Sequence, residues 1–398
     1  MLTPGITFLS LPSSDLHLAG PFSQLLHPLL ETLGIPNAPE GFTVLPCLTQ
    51  QLPSVIQRFP RAEVLMSVDN CVDAQASLRT VTPRPELNFP FHLKLSLACQ
   101  ITSALRTITP WSAQGGPIVT QIMDRFLPAD LWIFKEVASA TGSQSNFDDA
   151  KHLSCILREN LEFRAEANDE VLIIAAALTQ QSHGTSQPYA EILFNLESIP
   201  QKQEWFREYV ECLLVLILPP LINHGIGLEA HGQNMLVRVC RKTGKIKGFA
   251  VRDFGGIRLH TPTLRLQGVN FDAMYPGWAV MTESMHDAWG KVHHSLLQNH
   301  VGYLLDALNL QKHGGWAIVR EVLEQVLATL LNTGLYEFCM KDTMPYKCFL
   351  RMRMEGKYRD VSHPPRQNEN YALTCSKDGR EYLRAMSLPC IGLDREYL

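Results

Sequence analysis

The sequence does not start with a basic segment running into a long apolar stretch. It opens MLTPGITFLSLPSSD, a pattern that argues against a secretory signal. Its longest apolar run, Cys212 to Ile222, contains Pro219 and Pro220 and is roughly half the length needed to cross a bilayer. It reads instead as a buried helix that ends at the prolines. A basic excess is also missing. Lys and Arg number 35 against 39 Asp and Glu, for a formal net charge of −4. No general positive field is therefore available for nucleic acid or an anionic membrane, and any polyanion site has to be local. The ten cysteines include no CxxC pair and no tight Cys/His cluster, which speaks against structural zinc. They read as reduced, mostly buried thiols of a cytosolic protein. Internal repeats and low-complexity tracts are absent.

What is present is an ordinary globular composition over 398 residues, 45% hydrophobic and 19% charged, enough for two or three domains with a sizeable core. The clearest seam is Thr179 to Pro188, TQQSHGTSQP, a polar, Gly- and Pro-punctuated stretch between apolar segments. It divides the chain into an N-terminal part, 1–185, and a C-terminal part, 186–398. In the first, Ala62 to Val68 and Ala76 to Val81 read as strands with a turn at Asp69–Asn70. Phe91 to Ala98 alternates, with His92, Lys94 and Ser96 on one face and Leu93, Leu95 and Leu97 on the other. A helix is expected from Gln100–Ser103, and another over Asn146 to Arg164. In the second part, a helix from about Gln203 to Leu218 precedes the segment Gly225 to Val239. A strand over Ile246 to Val251 and a mostly helical stretch from Ala273 to Phe338 follow. Helix and strand are mixed throughout, which predicts an α+β or mixed class.

The sharpest segment is LEAHGQNMLV, Leu228 to Val237. If it is extended, Glu229, His231 and Gln233 share a face, with Asn234 directly after. A carboxylate and an amide oxygen are hard donors suited to Mg²⁺, and His231 can contact a phosphate that gains charge in a transition state. About twenty residues on comes VRDFGG, Val251 to Gly256. A strand running into Asp and two glycines brings a carboxylate to a place where backbone can approach a phosphate. Glu229, Asn234 and Asp253 together form a candidate magnesium–ATP site; taken singly, either segment also reads as an ordinary polar turn.

A second constellation precedes it. Ser77 and Arg79 share a face of the expected strand, with Thr80 beside them. Lys94 stands on the next strand. Thr102, Ser103 and Arg106 fall in the first turns of the expected helix, where free amides favour an anion. Together they read as a cradle for phosphate and carboxylate. Lys347, Arg351 and Arg353 make a weaker basic cluster that can meet an acidic substrate or simply be a solvated face. The histidines His152, His293, His294 and His363 show no ligand spacing and read as structural.

FHLKLSLACQITSALRT, EAHGQN and RDFGG, in that order, with SLRT before the lysine strand, resemble the NRPS-independent siderophore synthetases, the aerobactin-synthetase-like family. The resemblance covers about residues 40 to 360. It implies a cupped-hand fold of thumb, fingers and palm, with residues 1–185 as thumb and fingers and 186–398 as palm. It also implies possible homodimers and a reaction in which ATP and a polycarboxylate, often citrate, give an acyl-adenylate that an amine or alcohol then captures. Carried over residue by residue, Ser77, Arg79, Thr80, Lys94 and Arg106 would hold nucleotide phosphates or the carboxylate. Thr102 and Ser103 would lie on the carboxylate side, Glu229, Asn234 and Asp253 would bind Mg²⁺, and His231 and Gln233 would contact the nucleotide. Lys94, Arg106 and His231 are the expected catalytic groups, and Lys347 and Arg351 candidate substrate contacts. The family's upstream HPxH-type motif has no counterpart here. Its LPxHPWQ-like stretch appears as LPCLTQQ, Leu45 to Gln51, with Leu48 at the histidine's place. This departure leaves open a different carboxylate, an incomplete N-terminus, or a homologue that binds nucleotide or a partner without catalysis. A kinase-like phosphotransferase is the other alternative, since HGQN and RDFGG echo kinase segments, but no Gly-rich loop or HRD-type aspartate accompanies them.

Overall fold

The structure is a computed structural model that describes residues 2–101, 104–331, 333–340, 343–345 and 372–374. The expected mixed class is observed. A three-stranded antiparallel sheet has the order Phe42–Leu48, Ile6–Pro12, Glu63–Val68. A six-stranded antiparallel sheet runs Leu16–Ala19, Glu136–Gly142, Ser154–Glu159, Phe91–Leu95, Thr80–Pro83, Val72–Ala74. A four-stranded mixed sheet has the order Leu131–Ile133, Ile246–Val251, Met235–Cys240, Glu170–Ile174. That sheet takes two strands from each side of the 179–188 seam.

The six-stranded sheet is buried on both faces, and its strands show why. Val81, Leu93, Leu95, Cys155, Leu157, Ala138 and Ala140 face one apolar core together with the three-stranded sheet. The alternate residues, Thr80, His92, Lys94, Arg158, Glu136 and Ser139, are also buried. They lie on the side of helix Pro110–Phe126, where the Ser139 hydroxyl donates to the Ala113 carbonyl. A polar sheet face shut away from water has to satisfy itself internally, and this requirement assembles the site.

Helix Ile199–His224 anchors the other large core. It starts on a capping box, Ser198 with Gln201, and stops at Gly225, whose φ of 68° fits a glycine cap. It passes through Pro219 and Pro220 instead of ending there. Each proline removes one backbone donor, but Leu213, Leu214, Ile217, Leu218 and Leu221 are all buried in the core around them. That packing outweighs the two missing bonds. Among the described residues no helix is long and apolar enough to cross a membrane, and the seven described cysteines are free.

Other expectations change. Ser77 and Arg79 sit in a turn, because the strand begins only at Thr80. Gln100–Ile101 pairs with Ala104–Leu105 as a two-stranded ladder, where a helix start was expected. The helix starts at Pro110, capped by Thr109, because proline is favoured at the first helical position and threonine just before it. The helical expectation over 146–164 gives way to a short helix, Phe147–Ala150, the strand Ser154–Glu159, and a second helix from Glu162. There the apolar run Cys155–Leu157 lies in a strand paired on both sides, with Glu136–Gly142 and with Phe91–Leu95.

Candidate active site

The site grows from the polar face of the six-stranded sheet. Thr80 stands opposite Lys94 across one strand pair, and Arg158 stands opposite both His92 and Glu136 across two others. Lys94 Nζ lies 3.0 Å from Glu136 Oε1 and 2.6 Å from Asp253 Oδ1. Glu136 is reached by the helix because Gly116 has no side chain; a Cβ there would fall 2.5 Å from Glu136 Oε2.

Asp253 follows strand Ile246–Val251 with φ 66°, a left-handed conformation uncommon outside glycine. It turns the carboxylate to both Lys94 and Arg158, whose Nη1 is 3.3 Å away. Burial pulls the Asp253 carboxyl upward, but Lys94, Arg158 and Arg252 overcome it and hold the group well below the usual carboxylate range. Arg158 is fully buried and also donates to Gln75 Oε1 at 2.9 Å. Gln75 Nε2 is 2.9 Å from His92 Nδ1. Burial, with the neighbouring Arg158 charge, pushes His92 well below its ordinary value, so it is neutral.

Arg252 ties the two C-terminal motifs together. Its Nε and Nη2 donate to the Gln233 carbonyl at 3.1 and 3.0 Å. The 229–234 segment is not extended. The Asn234 amide donates back to the His231 carbonyl at 2.9 Å, and Asn234 Nδ2 donates to the Glu229 carbonyl at 3.2 Å. Glu229, His231 and Gln233 therefore do not share a strand face; the turn buries Asn234 and leaves Gln233 exposed. Glu229 pairs with Lys291. A Cβ on Gly256 would fall 1.8 Å from Glu229 Oε2, so the carboxylate rests on the second glycine of RDFGG. Burial lowers the His231 pKa while Glu229 and Asp253 oppose it, which puts all three within electrostatic reach.

The first constellation joins from its turn. Arg79 Nη1 donates to the carbonyls of Arg106 at 3.2 Å and Thr107 at 2.6 Å. Burial lowers its pKa, opposed first by Asp253. Arg79, Lys94, Arg158 and Arg252 thus stand as four cations against Asp253 and Glu136, a local positive excess in a chain of negative net charge. Arg106 is half-buried just before the Thr109 cap. Ser77 and Thr80 hydroxyls are 3.5 Å apart. Thr102, Ser103, Lys347 and Arg351 lie outside the described residues.

Residues 48–180 match the IucA / IucC family, and residues 203–361 match a family described as ferric iron reductase FhuF-like transporter. The chain is 50% identical over 371 residues to an NRPS-independent siderophore synthetase-like protein of Aspergillus thermomutatus, covering 90% of this chain and 61% of that one. This chain is a relative of the NRPS-independent siderophore synthetases. It also shares their fold. A petrobactin biosynthesis protein of Bacillus anthracis superimposes with a TM-score of 0.75 at 18% identity, over 97% of this chain and 70% of that one. An ATP-bound aerobactin synthetase of Klebsiella pneumoniae does so with 0.69 at 15%, over 87% and 66%. The chain spans about three fifths of the length of the curated siderophore-synthetase relatives it matches.

Five residues of this siderophore-synthetase-like site had no assigned role in the sequence reading: Gln75, Glu136, Arg158, Arg252 and Lys291. Arg158 carried a usable signal, a cation directly after the apolar run Cys155–Leu157. The others meet the site only through the fold. Among the described residues no group of three His, Cys, Asp or Glu is placed to hold a metal. Two carboxylates and one amide nevertheless suit Mg²⁺, which is held by one or two carboxylates together with substrate phosphates and water. Asn234 fits that use: its nitrogen donates within the loop, which leaves the oxygen end of the amide for a cation.

Proposed function

We propose that this chain uses ATP and Mg²⁺ to adenylate a carboxylic acid, citrate-like or a related polycarboxylate, and passes the acyl group to an amine or alcohol in siderophore or related metabolite synthesis. The observation that carries the proposal is the juxtaposition of four cations with Asp253, beside a loop bearing Glu229, His231 and Asn234. An excess of cations suits a polyphosphate and a carboxylate together, while the acidic groups suit the metal that accompanies the nucleotide.

In the first step a carboxylate oxygen attacks the α-phosphorus, the bond to the β-phosphate bridge breaks, and pyrophosphate leaves. Two anions must approach each other, so the protein's work is neutralisation and alignment. Lys94, Arg79 and Arg106 would face the nucleotide phosphates or the acid. His231, kept neutral by burial, would donate a hydrogen bond to phosphate oxygen. Ser77, Thr80 and Gln233 would add polar contacts, with Thr102 and Ser103 on the acid side. Glu229, Asn234 and Asp253 would hold Mg²⁺, which offsets charge on the phosphates. In the second step the amine nitrogen or alcohol oxygen attacks the acyl carbon, the bond to AMP breaks, and the nucleophile's proton passes to solvent.

The test is hydroxylamine-trapped adenylation with ATP, Mg²⁺ and a panel of di- and tricarboxylic acids. Metal-dependent pyrophosphate release with one acid is expected. Release of ADP and phosphate instead would refute adenylation in favour of γ-phosphoryl transfer. No turnover, with nucleotide bound, would favour a binding protein.

A further inference from the structure

The Glu229–Asn234 loop has no regular secondary structure, yet a Mg²⁺–nucleotide site needs its donors held in place. Behind the loop runs one continuous helical segment, Met285–Val292 as α-helix, His293–Val301 as π-helix and Gly302–Ala307 as α-helix again. Three of its side chains reach the loop. Lys291 pairs with Glu229. The Ala230 amide donates to Ser295 Oγ at 3.1 Å. His300 Nδ1 lies 3.0 Å from the Ala230 carbonyl. The same peptide residue is therefore gripped on both its donor and its acceptor.

The π register makes this possible. In an α-helix, at about 3.6 residues per turn, the five-residue step from Ser295 to His300 would leave the two side chains roughly 140° apart. In a π-helix, hydrogen bonds join residues five apart, so the two fall one turn above each other on one face. π segments within α-helices are frequent at functional sites.

The hydrogen-bond chain also fixes the proton. A carbonyl only accepts, so Nδ1 carries the hydrogen. Nε2, 2.7 Å from the Tyr209 hydroxyl, is then the acceptor of the tyrosine proton. Tyr209 and His300 are both buried, and burial brings the His300 pKa down to about 4, which keeps this neutral tautomer at pH 7. Tyr209 stands on helix Ile199–His224, the most heavily packed element of that core.

We propose that Tyr209 and His300, with Ser295, form a strut that transmits the rigidity of the core to the nucleotide loop, and that His300 is a positioning residue for Mg²⁺–ATP binding. The loop-holding role stands on the geometry alone; its consequence for nucleotide rests on the adenylation reading. Two measurements separate them: amide hydrogen exchange over residues 228–235 without ligand, and Mg²⁺–ATP affinity by titration. Tyr209→Phe is the gentlest variant, because it removes one hydroxyl. His300→Leu removes the donor and His300→Asn keeps a donor near the Nδ1 position. Ser295→Ala covers the case in which the His300 variants fail to fold.

Exchange in 228–235 is expected to quicken about tenfold in Tyr209→Phe and His300→Leu, the scale of one buried hydrogen bond. His300→Asn should restore much of it, and exchange in helix Gly315–Thr329 should not move. Mg²⁺–ATP affinity should weaken by a similar factor while the KM for the acid stays put. Unchanged loop exchange in Tyr209→Phe and Ser295→Ala would overturn the strut. If the wild-type chain bound no Mg²⁺–ATP, the adenylation reading would fall, and the exchange data would still decide the strut.

Discussion

Replacing Lys94 with methionine is the perturbation whose outcome follows most directly from the structure. The ammonium serves two carboxylates, Glu136 at 3.0 Å and Asp253 at 2.6 Å, but they do not depend on it equally. Asp253 keeps Arg158, and its side chain is 27% exposed. Glu136 is 3% exposed and has no other cation among its ion pairs in the described residues. Lys94→Met therefore leaves a buried carboxylate without its ion-pair partner, a defect that costs up to about 3–5 kcal/mol, with Arg79 as the nearest charge left to oppose it. The double variant Lys94→Met, Glu136→Gln removes the orphaned charge and should recover more than half of the loss. Urea denaturation of wild type, the single and the double variant at pH 7.5 measures both quantities. A Lys94→Met loss below about 1 kcal/mol, well under the range for a buried charge that loses its partner, or no recovery in the double variant, would refute the reasoning.

Arg106→Ala is expected to lower pyrophosphate release by about 10²-fold, the scale for losing one charge-stabilising donor, and a wild-type rate would remove Arg106 from the site. Gly256→Ala should raise the Mg²⁺ concentration needed for half-maximal release without unfolding the chain, since the added Cβ displaces only the flexible end of Glu229; thermal melting checks the fold. Gly20→Ala, at φ 67° and with the new Cβ 2.5 Å from the Val137 carbonyl, should cost about 2 kcal/mol or more in a melt, because the nearest neighbour is backbone that cannot swing aside. Asp253 has a depressed folded pKa, so its stabilisation is complete above the unfolded value of about 3.9 and fades as pH falls through the folded value. The stability difference between wild type and Asp253→Asn should thus be flat from pH 7 to 5 and decline only below about 4.

The sequence showed the chemistry of the C-terminal motifs more clearly than their shape. RDFGG was readable because a strand, Ile246–Val251, runs straight into it, and the strand boundaries agree with the apolar pattern. EAHGQN was read as an extended donor set with an ordinary polar turn as the alternative, and the turn is what forms. Its fold-back is closed locally by Asn234 and braced by Arg252, eighteen residues beyond Asn234, which donates to the Gln233 carbonyl; no local pattern shows that brace. The Gln100–Ser103 helix was misplaced because Thr102, Ser103 and Arg106 resemble a helix start. The proline and threonine that start one lie at Pro110 and Thr109. Pro219 and Pro220 misled in the opposite direction, since local backbone cost was weighed without the core that covers the helix.

Glu136 and Arg158 were missed for a physical reason, and that reason bears on how the site works. A strand's polar face ordinarily meets water, so alternation alone assigns Lys94 to a solvated surface. Here helix Pro110–Phe126 covers that face. Once it does, every charge on it must find a partner within the sheet or on a loop reaching over its edge. Lys94 and Arg158 find Glu136 inside the sheet and Asp253 outside it. Asp253 belongs to the four-stranded sheet's last turn, so one carboxylate couples the two sheets. Under the proposed function the coupling would also be exchangeable. A phosphate or carboxylate ligand offers Lys94 and Arg158 the same kind of oxygen that Asp253 does, and a metal offers Asp253 a charge in place of theirs. On this argument the ion pairs hold the two sheets in register, and under the proposed function a bound anion and metal would replace their far partner without leaving any buried charge alone.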